Sequence, residues 1–179
     1  MRRIASIILI VLAVGFIADA VYKQMHKQGP NLALLPCQKE VVVFDKIYDT
    51  ALFKKAQKAL FEGSVFIHSS IKKSHYMPTR LFEYVDINDV DRYFTHAILQ
   101  MGGQRSGSSK LSIEYYVYEN DKDDPGKKTA KAKAYAGYLH INFLYDDVRC
   151  YTLQIDFMDD QGGDIPKRID CALKTFLSL

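Results

Sequence analysis

"AYAGYLHINFLYDDVRCYTLQIDFM", residues 134–158, reads as two β-strands folded back on each other. Tyr135, Leu139, Ile141, Phe143 and Tyr145 fall at odd positions of the first run. Tyr151, Leu153, Ile155 and Phe157 do the same in the second. Alternation with a period of two puts each set on one face of a strand, whereas a helix would scatter it around its axis. Asp146 and Asp147 lie between the runs and make a tight connection.

Just upstream, "LSIEYYVYE" (111–119) repeats the pattern. Leu111, Ile113, Tyr115 and Val117 share one side; Ser112, Glu114, Tyr116 and Tyr118 share the other. The three runs predict an antiparallel meander with one buried face. Downstream, "DIPKRIDCALKTFLSL" (164–179) switches to a helical period. Ile165, Ile169, Ala172, Leu173 and Phe176 form its apolar stripe, Asp164 stands at the N-cap and Pro166 in the first turn.

The first half of the body alternates strands and helices. "KEVVVFDKIY" (39–48), "SVFIHS" (64–69) and "RLFEYVD" (80–86) read as strands. A helix follows Asp49 and ends near Gly63, with Leu52, Ala56, Ala59 and Leu60 on one face. Another starts after Asn88, carries Val90, Phe94, Ala97 and Met101 on its apolar side, and stops at Gly102-Gly103. The order β-α-β-β-α-β-β-β-α predicts an α+β domain, with a mainly antiparallel sheet and helices packed on one face.

Before this domain stands "RRIASIILIVLAVGFIADAVYKQMHK", residues 2–27. A helix over residues 4–22 would be about 28 Å long, close to the hydrocarbon thickness of a bilayer. Arg2-Arg3, the apolar run and Ala18-Asp19-Ala20 also fit a signal peptide cut after Ala20. The missing polar segment before that site, and Lys23 just after it, favour an uncleaved anchor. The expected division is a leader at 1–27, a tether at 28–38 broken by Gly29-Pro30, and a single domain at 39–179. Either fate of the leader exports the domain, with Arg2 and Arg3 staying inside. The expected setting is a bacterial inner membrane with the domain in the periplasm, or release to the periplasm if residues 1–20 are removed. A domain anchored on the cytosolic side is the remaining option.

The 179-residue chain is 48% hydrophobic and 25% charged, the balance of a globular protein. A net charge of +3 is too small to point to nucleic acid. Chemical motifs are sparse. "GGQRSGSSK" (102–110) has the glycines of a phosphate loop, but its lysine follows two serines and it leads from a helix into a strand. "DKDDPG" (121–126) opens like an EF-hand, yet Pro125 and Ala132 occupy ligand positions. The meander brings the 120–128 and 159–163 loops to one edge, so Asp121, Asp123, Asp159 and Asp160 are weak metal candidates. Lys122, Lys127 and Lys128 would compete for the same carboxylates. No two of the five histidines share ligand spacing on one helix face. A His140–Cys150 dyad is conceivable, but no nucleophile motif supports it, and the chain reads as more a non-enzyme than an enzyme, with no cofactor.

Of the three cysteines, Cys37 and Cys171 are the pair preferred for a disulfide in an oxidising compartment, because a tether crossing the last helix would bring them together. Tyr116 and Tyr118, on the face away from the meander's apolar side, are candidates for an interaction surface. The expected function is a membrane-tethered, non-enzymatic domain that contacts a protein partner or serves an assembly. The alternative is small-ligand binding or hydrolysis in a sheet–helix cleft.

Overall fold

The computed structural model describes residues 35–179. The apolar leader and most of the expected tether lie outside the described residues. Five strands form one sheet: β1 (Val43–Ile47), β2 (Ser64–Lys72), β3 (Ser108–Glu119), β4 (Gly137–Tyr145) and β5 (Val148–Phe157). Their spatial order is β1-β5-β4-β3-β2. Every pairing is antiparallel except β2 with β3. Four α-helices accompany the sheet: α1 (Thr50–Ala59), α2 (Ile87–Gln100), the short α3 (Ala130–Lys133) and α4 (Ile165–Ser178). The domain is thus α+β, with a mostly antiparallel sheet.

The meander β3-β4-β5 forms because its alternation buries one face. Leu111, Ile113, Val117, Leu139, Ile141, Phe143, Leu153, Ile155 and Phe157 are fully buried. Phe143 stacks on Phe176 of α4 at 4.1 Å, and Phe53 of α1 meets Tyr151 at 5.1 Å. Phe94 of α2 meets Tyr115 at 4.5 Å. α1, α2 and α4 therefore cover the same side, each burying an apolar stripe worth about 1.5–3 kcal/mol per large side chain. The β4–β5 hairpin turns on Asp146 and Asp147, both with positive φ (48° and 62°), the conformation that matches strand twist in a two-residue loop. Gly137 starts β4 where a Cβ would come within 2.1 Å of the Tyr118 carbonyl oxygen.

Several local expectations change, and β1 is shorter than expected, Val43–Ile47 in place of 39–48. Residues 80–86 do not form a strand; Leu81–Glu83 is a 3-10 turn. The cause is distant: the Glu119 carboxylate at the end of β3 accepts the Arg80 N–H at 2.7 Å and the Leu81 N–H at 2.9 Å. Those donors are then lost to any sheet ladder. β2 runs three residues further than expected, to Lys72. Asp86 caps α2 in place of Asn88, its carboxylate accepting the Asn88 N–H at 2.8 Å.

A 3-10 turn at Pro36–Lys39 crosses α4, where Cys37 is joined to Cys171 by a disulfide. Glu40 beside it pairs with Lys167 and lies 3.6 Å from Arg168, one helical turn before Cys171. Arg168 in turn holds Asp164 at 2.9 Å. Asp164 stands at the N-cap position without capping the helix; its carboxylate accepts the N–H groups of Met158 and Asp159.

Candidate functional site

The opposite side of the sheet is not covered by α1, α2 or α4. Strand register maps its residues in rows. Across one row run Asp156, Tyr138, Tyr118 and Lys72. Next come Phe44, Gln154, His140, Tyr116 and Ser70. A third row holds Lys46, Thr152, Asn142, Glu114 and His68.

Rings cluster at the centre of this map. Tyr118 stacks on Tyr138 at 4.6 Å, and Tyr116 lies nearly parallel to His140 at 4.9 Å. Tyr116 meets Tyr138 edge-on at 6.0 Å. Lys72 Nζ sits 3.7 Å above the Tyr116 ring, and Lys127 Nζ donates to the Tyr118 hydroxyl at 3.1 Å. Cations over ring faces hold both in place. Burial holds His140 below the usual imidazole range, and Lys72 and Arg149 add to that. Its Nδ1 is buried without a hydrogen-bond partner among the described residues. Burial likewise pushes the Tyr138 hydroxyl up. The cluster thus presents phenol rings and an imidazole, with Lys72 and Lys127 against it. Phe44 and Phe66, 64% and 57% exposed, extend the apolar character to both edge strands.

Comparison with known proteins returns no match. No family model, curated protein or solved structure is similar to the chain at the level searched. The site is argued from its own chemistry.

The structure separates the imagined dyad. His140 lies opposite Gln154 on the open face, four residues along β5 from Cys150, roughly 13 Å away at strand rise. Cys150 is fully buried, its thiol donating to the Phe143 carbonyl at 3.2 Å. Burial pushes that thiol up to about 11. A thiol this protonated is a poor nucleophile. Native protein should accordingly resist iodoacetamide at neutral pH, while unfolded, non-reduced chain takes a label at Cys150. Equal labelling rates in the two states would contradict this burial.

The acidic loops do meet: Lys122 of one holds Asp160 of the other at 2.7 Å. Two of their carboxylates accept from loop backbone. Asp121 accepts the His75 and Tyr76 N–H groups, both at 2.6 Å, and Asp159 accepts the Gln161 N–H at 2.8 Å. Asp123 and Asp160 line one hollow there with Glu119, and Lys122 lines it too. Among the described residues, no group of three His, Cys, Asp or Glu side chains is placed to hold a metal. The glycine-rich stretch after α2 ends that helix, Gly102 and Gly107 taking positive φ, and leads into β3.

A sheet–helix cleft of about 620 Å³ lies between β2 and α2, lined by Ser64, Thr95, His96, Arg92 and Arg105 over Val65, Ile67 and Ile98. Its polar groups do not converge. The Ser64 hydroxyl donates to the Gly107 carbonyl at 2.7 Å, and the His96 ring faces Gln100 at 3.4 Å. His68, at the open-face end of the third row, does not line that cleft. Tyr116 and Tyr118, singled out by alternation, sit together as expected of one strand face. Their neighbours Tyr138 and His140 could have been found from the same alternation in β4, once β4 was paired with β3.

Proposed function

We propose that the chain is a membrane-tethered envelope protein whose α+β domain faces the periplasm or exterior and acts by contacting a protein partner within an assembly. The observation that carries this reading is the open sheet face, with Tyr116, Tyr118, Tyr138 and His140 packed at its centre. Tyrosine-rich, charge-poor centres with polar rims are the composition of protein interfaces. Tyrosine also contributes area with little conformational entropy to lose. The Cys37–Cys171 bridge suits an oxidising compartment, which supports export by the apolar segment 4–22.

Catalysis is the weaker reading because the candidate nucleophiles are engaged elsewhere: Cys150 on the Phe143 carbonyl in the core and Ser64 on the Gly107 carbonyl. The test is photo-crosslinking of the full chain in its native membranes, with a benzophenone residue at Tyr116 or Tyr118. Discrete protein adducts are expected at both positions and none at Lys58, exposed on α1. Equal adducts at all three, or none at the tyrosines, would sink the proposal.

A further inference from the structure

Beside the tyrosine cluster, the open face dips into a groove of about 650 Å³. Lys39 to Phe44 form one wall, Thr129 to Tyr135 the other, and Gln154, Asp156 and Met158 line it from β5 and the residue beyond. Val42, Phe44 and Met158 keep 38%, 64% and 48% of their surface exposed there. Asp156 does not: it is 6% exposed. Its carboxylate accepts one long hydrogen bond, from Gln154 Nε2 at 3.4 Å. Among the described residues, no lysine or arginine forms an ion pair with it.

A buried carboxylate without a counter-ion is costly, and it lifts its own pKa to escape the charge, as burial does for Asp156. Nothing in the fold requires that cost. The position lies on the open face of β5, where Thr152 and Gln154 serve as neutral residues. Uncompensated, perturbed carboxylates in a concave site are where ligands find partners.

We propose that this groove binds an alkylammonium or guanidinium group carried on an apolar stem, with the Asp156 carboxylate as its counter-ion. The stem lies against Val42, Phe44, Tyr135 and Met158, and the cation reaches the floor. Lys39 and Lys131 stand on the rim, while Glu40 is held by Lys167. The rim therefore repels polycations and passes a single charge at the end of a stem. A lysine or arginine side chain of a partner segment and a free aliphatic amine share this chemistry. The assignment is independent of the tyrosine contact, so crosslinking at Tyr116 can fail while the groove still binds, and the reverse.

The test is thermal unfolding and titration calorimetry of the full chain in a maltoside detergent, which brings no cation of its own. Butylammonium and N-acetyl-arginine amide are the probes; butanol and butyrate are the controls. Saturable binding of at least one cation, with none of the controls, is expected. N-acetyl-lysine amide joins the cationic probes to separate the sources: butylammonium binding with neither amide identifies a free amine, and binding of either amide identifies a partner side chain. Asp156→Asn and Asp156→Ser should weaken binding at least tenfold while raising Tm, because each removes an uncompensated charge. Glu114→Gln, an exposed acid of the same face, should change neither. Equal affinity in Asp156→Asn, or no saturable response to any of the cations up to about 10 mM, overturns the assignment. So does failure of both Asp156 variants to fold, which would make the carboxylate a folding residue.

Discussion

Glu119→Ala should cost about 3–5 kcal/mol of folding stability. The side chain is 2% exposed, and its carboxylate gathers a loop 40 residues away in sequence. It accepts the Ser74 N–H at 3.3 Å, the Arg80 N–H at 2.7 Å and the Leu81 N–H at 2.9 Å, together with the hydroxyls of Ser74 and Thr79. Removing it strands several of these donors, each at about 1–3 kcal/mol when buried. The truncation also leaves a cavity above Leu81, which is itself buried. Glu119→Gln should restore only part of the loss, because its amide nitrogen meets donors, not acceptors.

The same group makes a pH prediction. Burial raises its pKa, but the Arg80 and Leu81 N–H groups and the Thr79 hydroxyl outweigh it, so the folded carboxyl lies below the ordinary glutamate value. A depressed folded pKa stabilises the protein at pH values above the unfolded pKa and loses that stability as pH falls through the folded one. Acid should therefore weaken the wild type more steeply than Glu119→Ala over the range below about pH 4. Urea unfolding at neutral and acid pH measures both effects. A neutral-pH loss under about 1 kcal/mol would show that water replaces the carboxylate.

Removing the Cys37–Cys171 bridge, as the double serine variant, should cost about 2–5 kcal/mol. The two cysteines are 134 residues apart, so the link restrains nearly the whole described domain in the unfolded state. What remains at that crossing is weak. Lys167 and Glu40 are both largely exposed, and such pairs contribute only about 0–1 kcal/mol. Denaturant unfolding under oxidising and reducing conditions reads the difference. Peptide mapping without reductant should recover Cys37 joined to Cys171 and Cys150 free. Identical midpoints with and without reductant would remove the bridge from the account of stability.

The meander is legible in the sequence because a two-residue period admits one burial pattern. Shifting Leu153 or Ile155 to the other face would expose the whole strand's apolar set. α4 is legible for the same reason, its stripe repeating at helical spacing. The 80–86 segment is not, because β-branched and aromatic content there suggests a strand while Glu119, far along the chain, takes its backbone donors. Local propensity yields to that tertiary contact. Asp121 misleads similarly: a loop aspartate looks like an oxygen ligand until the donors it accepts from are found, the His75 and Tyr76 N–H groups. Asp156 is the subtler case. Alternation places it on the open face, but its burial depends on the 39–44 and 129–135 segments closing beside β5, which no pattern within β5 reveals.

The strand order carries a consequence for how the domain is made. β1 and β2 are joined through α1, yet they occupy opposite edges of the sheet. β1 finds its pairing strand in β5, with Val43 opposite Ile155, and Cys37 waits longer still for Cys171. A chain that emerges N-terminus first, from a ribosome or an export channel, must hold its first strand idle until nearly everything else is out. Pairings this distant form slowly. During that interval the Val41–Ile47 stretch is an unpaired, β-prone segment, the kind that escorting chaperones hold and proteases cut. The quality-control checkpoint for this domain is thus a late one: arrival of the C-terminal residues completes the sheet edge and the covalent clasp together.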